Sequence, residues 1–211
     1  MRNIPNNLKD IFYMTQKIGI SPIRGFFAYL RLAKGSYIPF LGKGVKLITP
    51  SNLLVGKYVW LGHGSYLDCH SKFICEIGHN STIREYSSIQ CRSGLNEPGE
   101  SLKIGENVFI GPFSKLGVGG KIEIGNNCQI GSHFSINAES HVENNGTFTS
   151  GSINRLGVCI GKNVWIGDKV TILDGVEIGS NSLIGAGAVV NKSFPENSKI
   201  AGVPAISIKK Q

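Results

Sequence analysis

The chain has 211 residues, 28 of them glycine, with 17% charged and 9% aromatic residues and a formal net charge of +8. That length suits one domain, or one domain with a small appendage. No stretch offers the roughly 18 uncharged apolar residues of a membrane span, the first residues lack the apolar core and small-residue cleavage site of a secretory signal, and glycine follows no Gly-X-Y period.

Residues 1–44 read as a helical segment. Asn6 to Ile18 predicts a first helix, and Ser21-Pro22 opens a second. In the second, Ile23, Phe26, Phe27 and Leu30 fall at helical spacing, with Arg24, Arg31 and Lys34 among them. A basic amphipathic helix of this kind lies on an anionic membrane surface. It serves equally as a cap over the open end of the next unit, and the two roles are compatible.

From about residue 45 to 195 a different period takes over. Apolar residues recur every sixth position at Val55, Leu61 and Leu67, at Ile77, Ile83 and Ile89, and at Ile104, Ile110 and Leu116. The beat resumes at Ile124, Ile130, Ile136 and Val142, and runs unbroken through Ile160, Ile166, Ile172, Ile178, Ile184 and Val190. A helix wants an apolar residue every three or four positions and a strand every two. Glycine usually follows the apolar residue, and four places on stands a small or β-branched one such as Val164, Val170 or Ala188. The unit is a short strand plus a corner, and three units close a triangular coil of about 18 residues. Coils stack through parallel strand pairing, so about eight of them form a prism roughly 35–40 Å long.

Two polar, glycine-bearing excursions interrupt the beat, near 90–103 and near 143–157. The second is nearly a coil in length, which fits either a degenerate coil or an exposed loop reaching a neighbour. The cysteines Cys69, Cys75, Cys91, Cys128 and Cys159 are odd in number and form no C-x-x-C pair. They read as reduced thiols of a cytoplasmic protein. The positive charge fits an anionic ligand or surface without naming one.

The run VCIGKNVWIGDKVTILDGVEIGSNSLIGAGAVVNKSFPENSKIAGVPA, residues 158–205, resembles the hexapeptide-repeat acyltransferases, a left-handed parallel β-helix family that transfers acetyl groups from acetyl-CoA. The left hand comes from the resemblance, since the general rule for parallel crossovers favours the right. The resemblance is closest to sugar O-acetyltransferases, including those acting on capsule or lipopolysaccharide O-antigen. The short N-terminal segment argues against the serine and nucleotide-sugar branches, which carry larger N-terminal domains.

Acetyl transfer to a hydroxyl needs a base, and imidazole suits the task. His63, His70, His79, His133 and His141 compete. In the family the catalytic histidine closes a hexad directly before the long loop that precedes the NVWIG segment. That resemblance points to His141, with His133 as its rival. It also places Trp165 and Gly167 near the thioester, and Gly185 and Ala186 on the pantetheine arm. Lys192, the Gly202-Val203-Pro204-Ala205 tail, Lys209 and Lys210 then lie near the adenine and phosphates, so that residues 196–211 contribute to coenzyme binding. Where relatives present Asn or Asp to the acceptor, this chain has Ser114 and Lys115, and Asn137 and Glu139 are the other candidates for acceptor contacts.

The resemblance implies a homotrimer with active sites between subunits, and no nucleic-acid partner. A zinc-dependent carbonic anhydrase uses the same coil, but its paired histidines stand five apart, and here the nearest spacings are seven, eight and nine. No metal is expected. A non-catalytic β-helix binding module, or an enzyme for a small free sugar, serine or antibiotic, remain the alternative readings.

Overall fold

A computed structural model of the chain describes residues 18–94, 96–144, 146–147 and 152–208. All but the last residue of the helix expected over Asn6–Ile18 lies outside these residues, as do Lys209 and Lys210.

The coil is a three-sided left-handed parallel β-helix. Its first face is a nine-stranded sheet running from Phe40–Leu41 to Lys199–Ala201, closed by an antiparallel Ile206–Ser207. The second face has seven strands, from Lys46–Ile48 to Val189–Val190, and the third has six, from Leu53–Val55 to Glu177–Ile178. The first strand thus lies ahead of residue 45 and the last parallel one beyond 195. Pairing is always coil to coil, as in Ile110 with Ile130, Ile130 with Ile166, and Ile166 with Ile184. Eight parallel strands on the first face, spaced about 4.8 Å apart, span about 34 Å.

The six-residue beat is the core. Val55, Leu61, Ile77, Ile110, Ile136, Ile160, Ile172 and Val190 are all at most 1% exposed. Val142 is the exception at 36% exposed, and its N–H donates to Ser152 O in a hairpin rather than in a coil wall. The period at that point is a coincidence of spacing.

Corners repeat as strictly as strands. Between the third and first faces, Asn80, Asn107, Asn127, Asn163, Asn181 and Asn197 stack at φ of 55–63°, a left-handed conformation that asparagine tolerates well. Between the first and second faces the same conformation falls to Tyr86, Phe113, His133 and Lys169. There the rings compensate by stacking: Tyr86 on Phe113 at 5.5 Å, and Phe113 on His133 at 5.2 Å.

The corner between the second and third faces absorbs every long insertion. Both excursions leave from it as antiparallel hairpins, Arg92–Gly94 with Glu97–Pro98 and Ser140–His141 with Ile153–Asn154. The second excursion is therefore an exposed arm and not a degenerate coil. The cysteines stay unbridged. Cys69, Cys75 and Cys91 are buried at this corner, with the Cys75 and Cys91 sulfurs 3.5 Å apart.

A helix spans Ser21–Tyr29, with Pro22 in its first turn as expected. It meets the first strand through its small residues. Ser21 and Gly25 are buried, and a Cβ at Gly25 would strike the Pro39 carbonyl. Arg24 Nε donates to Leu41 O at 2.8 Å. The apolar side expected to do the capping faces outward instead: Ile23, Phe26, Phe27 and Leu30 are all exposed. Small side chains allow the closer approach, so they take the contact. No helix among the described residues is long and apolar enough to cross a membrane.

Phe134 departs from the repeat by placing a full ring where other coils hold serine, valine or alanine, and it is fully buried. Replacing it with alanine leaves a cavity inside the prism, and Phe134→Ala should cost about 3–5 kcal/mol by denaturant unfolding. A loss below about 1 kcal/mol would mean that neighbouring coils collapse into the space.

Candidate active site

The upper coils carry a shallow cleft of about 300 Å³ on the first face, lined by Phe109, Gln129, Trp165, Gly167, Asp168 and Ala186 among others. Trp165 comes five places after Ile160, an outward strand position, and it is half exposed. Gly167 forms the floor. A Cβ there would lie 2.6 Å from the Ala186 backbone nitrogen, so only glycine permits this spacing. Asp168 Oδ1 accepts the Ser132 N–H at 2.6 Å and closes the rim.

Trp165, Gly167 and Ala186 thus come together, with Gly185 adjoining. The amides of Gly167 and Gly185 are not free donors, because they donate to Ile184 O and Ile200 O at 2.8 Å. Ala186 N–H meets no acceptor among the described residues. The tail turns over the top of the prism. Val189 N–H donates to Gly202 O, Ala205 N–H donates to Val189 O, Ala205 is buried, and Pro204 lies in the turn between them. Lys192 is elsewhere. It follows Val190 at the corner between the second and third faces, with its ammonium 5.7 Å from the Phe194 ring centre.

His141 lies at that same corner, in the strand Ser140–His141, and is exposed. Asn137 ends the second-face strand just before it and is also exposed. Glu139 approaches Arg155 Nε at 3.5 Å. Ser114 is a correction. Four places after Ile110, it points inward, is 1% exposed, and donates to Gly111 O at 2.7 Å, so it contacts no acceptor. Lys115 next to it points outward.

The remaining histidines are largely engaged in the fold. His63 Nδ1 and His79 Nδ1 each accept a backbone N–H at 2.7 Å, from Lys43 and Lys57. His133 is the end of the aromatic stack. Burial pushes the Cys128 and Cys159 thiols up, which disfavours them as nucleophiles.

One consequence is geometric. The cleft is on the first face, and the His141 corner lies where the other two faces meet. On one prism these are opposite sides, so a single chain does not bring His141 to Trp165.

Arg155, Glu97 and Asp174 escaped the sequence reading. Arg155 Nη2 meets Glu97 Oε2 at 3.2 Å and links the two hairpins. A lone arginine within the polar run SGSINRLG and a lone aspartate inside ILDGV were the available signals.

Residues 158–192 match the family profile described as bacterial transferase hexapeptide (six repeats). A galactoside O-acetyltransferase of Escherichia coli K12 is 40% identical over 60 residues, 28% of this chain and 30% of that protein. WbbJ of the same organism, named provisionally for lipopolysaccharide biosynthesis O-acetyl transfer, is 45% identical over 53 residues, 25% of this chain and 27% of that protein. The match therefore spans less than a third of either relative. A mutant of AntD, an N-acyltransferase from Bacillus cereus crystallised with dTDP and coenzyme A, superposes with a TM-score of 0.55 at 18% identity, over 83% of this chain and 84% of that one.

Gly167→Ala should destabilise the prism by about 1–3 kcal/mol, because the added methyl meets backbone rather than a movable side chain. Urea unfolding of the variant checks this, and an unchanged midpoint would show that the upper coils can separate. The period, the three-sided coil and the matches agree: the chain has a left-handed β-helix fold built on a six-residue repeat, its residues 158–192 match the hexapeptide transferase profile, and O-acetyltransferases are among its sequence relatives.

Proposed function

We propose that the protein transfers an acetyl group from acetyl-CoA to a hydroxyl of a sugar, as a homotrimer. The observation that carries this reading is the cleft: a half-exposed indole over a glycine floor on stacked hexapeptide coils, where the backbone N–H groups of Asp168 and Ala186 meet no acceptor among the described residues. A thin, flexible acyl-thioester arm fits such a shallow groove, and these N–H groups suit a developing oxyanion. The basic end at Lys209 and Lys210 supplies cations for the coenzyme phosphates, and Lys192, at the same corner as His141, supplies one from the neighbouring prism.

His141 acts as the base. Its imidazole takes the proton of the acceptor hydroxyl as that oxygen attacks the thioester carbonyl. The tetrahedral intermediate collapses, the carbon–sulfur bond breaks, and the imidazolium returns the proton to the departing thiolate. Asn137 and Glu139, flanking His141, hold the acceptor.

The separation of His141 and Trp165 on one prism supports a site shared between copies of the chain. A neighbouring prism that sets its His141 corner against this first face completes the site, giving three equivalent sites between subunits. The acceptor is a cell-surface polysaccharide or its precursor, the activity for which WbbJ is named. The outward apolar side of the Ser21–Tyr29 helix supports work at the inner face of the membrane. Residues 18–38 contain no acidic residue, and Arg31 and Lys34 are exposed beside the exposed Phe27 and Leu30.

His141→Ala should leave acetyl-CoA affinity intact and reduce turnover by about 10²–10⁴. His133→Ala should cost far less turnover, because that ring is engaged by Phe113. Steady-state kinetics with acetyl-CoA and a panel of saccharide acceptors measures both, and a fully active His141→Ala enzyme would refute the assignment.

A further inference from the structure

We infer that Asp174 is the positioning residue for His141, an inference that rests on the proposed transferase reading. Its carboxylate lies one coil above the His141 hairpin, at the corner between Thr171–Ile172 and Glu177–Ile178. Oδ1 accepts the Gly157 N–H at 2.8 Å, and Oδ2 accepts the Leu156 N–H at 3.3 Å. Oδ2 also accepts the Ser140 hydroxyl at 3.4 Å. Ser140 is the residue before His141 on the outgoing limb, and Leu156 and Gly157 form the base of the returning limb. One carboxylate therefore clasps both limbs of the hairpin.

The surroundings reinforce the clasp. Gly175 N–H donates to Gly157 O at 2.7 Å, directly beside it. The Leu156 side chain covers Gly175 so closely that a Cβ there would come within 2.9 Å of it. From the coil below, Glu97 holds Arg155 at 3.2 Å. The returning limb is thus fixed from above by an anion that accepts N–H groups and from below by an ion pair.

This matters because no hydrogen bond orients the His141 ring among the described residues. A base within a triad has a third group to aim it. Here the aim comes from the backbone of a two-residue strand pairing, Ser140 with Asn154 and His141 with Ile153. A hairpin so short is marginal alone, so its anchor sets where the imidazole stands. Charge-assisted N–H···O⁻ bonds are the stronger kind, and here they replace that third group.

Asp174→Ala should lower kcat by about 10²-fold, the scale of a misplacement near 1 Å at a reacting centre. The KM for acetyl-CoA should change by less than about twofold, because Asp174 holds the hairpin and lines no part of the cleft. Asp174→Asn, which keeps one acceptor oxygen, should recover part of the rate. The His141→Ala/Asp174→Ala double variant should be no slower than His141→Ala alone, since a positioning residue has nothing left to position. Hydrogen exchange of the Val142 and Ile153 amides should accelerate in Asp174→Ala, while Ile166 and Ile184 keep wild-type protection. A full additive loss in the double variant, or unchanged exchange in the hairpin, would overturn the inference. If the wild-type protein acetylates no acceptor, the functional reading fails, and the exchange measurement still decides the clasp.

Discussion

The main-chain hydrogen bond from each coil to the next governs this molecule. Gly105 N–H to Ile124 O, Gly125 N–H to Ile160 O and Gly161 N–H to Ile178 O run in file at 2.7–2.8 Å. To make them, each coil must trace the path of the one below, so inward side chains fall on inward side chains and corners on corners. This explains why left-handed asparagines and stacked rings form columns, and why a methyl on Gly167 is disruptive while an indole at Trp165, pointing out, is not.

The same constraint decides where variation is allowed. An insertion within a face would break two ladders, whereas an insertion at a corner can leave the prism as a hairpin. In this chain the corner between the second and third faces takes all of them, from 69–74 through 91–101 to 138–157. Polar chemistry gathers there as a result. Asn137, Glu139, His141 and Arg155 stand on an edge that lies opposite the glycine-floored cleft. A rigid prism cannot fold that edge back onto its own first face, and so the proposed site takes its two halves from different copies.

The core was legible because the stacking rule writes itself into the sequence as a period of six, and the positions of Ile110, Ile166 and Val190 follow from counting. The fate of Ser114 was legible by the same count, since the fourth place after the beat points inward, whereas its candidacy for acceptor contact came from the resemblance, in which relatives present Asn or Asp there. Likewise His133, in the third place, belongs to a corner column with Phe113 and Tyr86. The hairpins were not legible. The limbs of the second meet Asp174 from Ser140, 34 residues away, and Glu97 from Arg155, 58 residues away, and neither spacing is a multiple of six. The helix shows a third kind of failure: its apolar spacing was read correctly, yet Ser21 and Gly25 make the contact, because close approach favours small side chains over large ones.

The central claim is that a working site takes its base from one prism and its cleft from another. Mixing subunits tests it directly. Two inactive proteins are prepared, one carrying His141→Ala and the other Trp165→Asp, and are unfolded together and refolded. If sites form between copies, mixed trimers contain some sites with both an intact His141 and an intact Trp165, and acetyl transfer returns to a definite fraction of the wild-type rate. If each chain builds its own site, the mixture stays as inactive as its components, and the account is wrong.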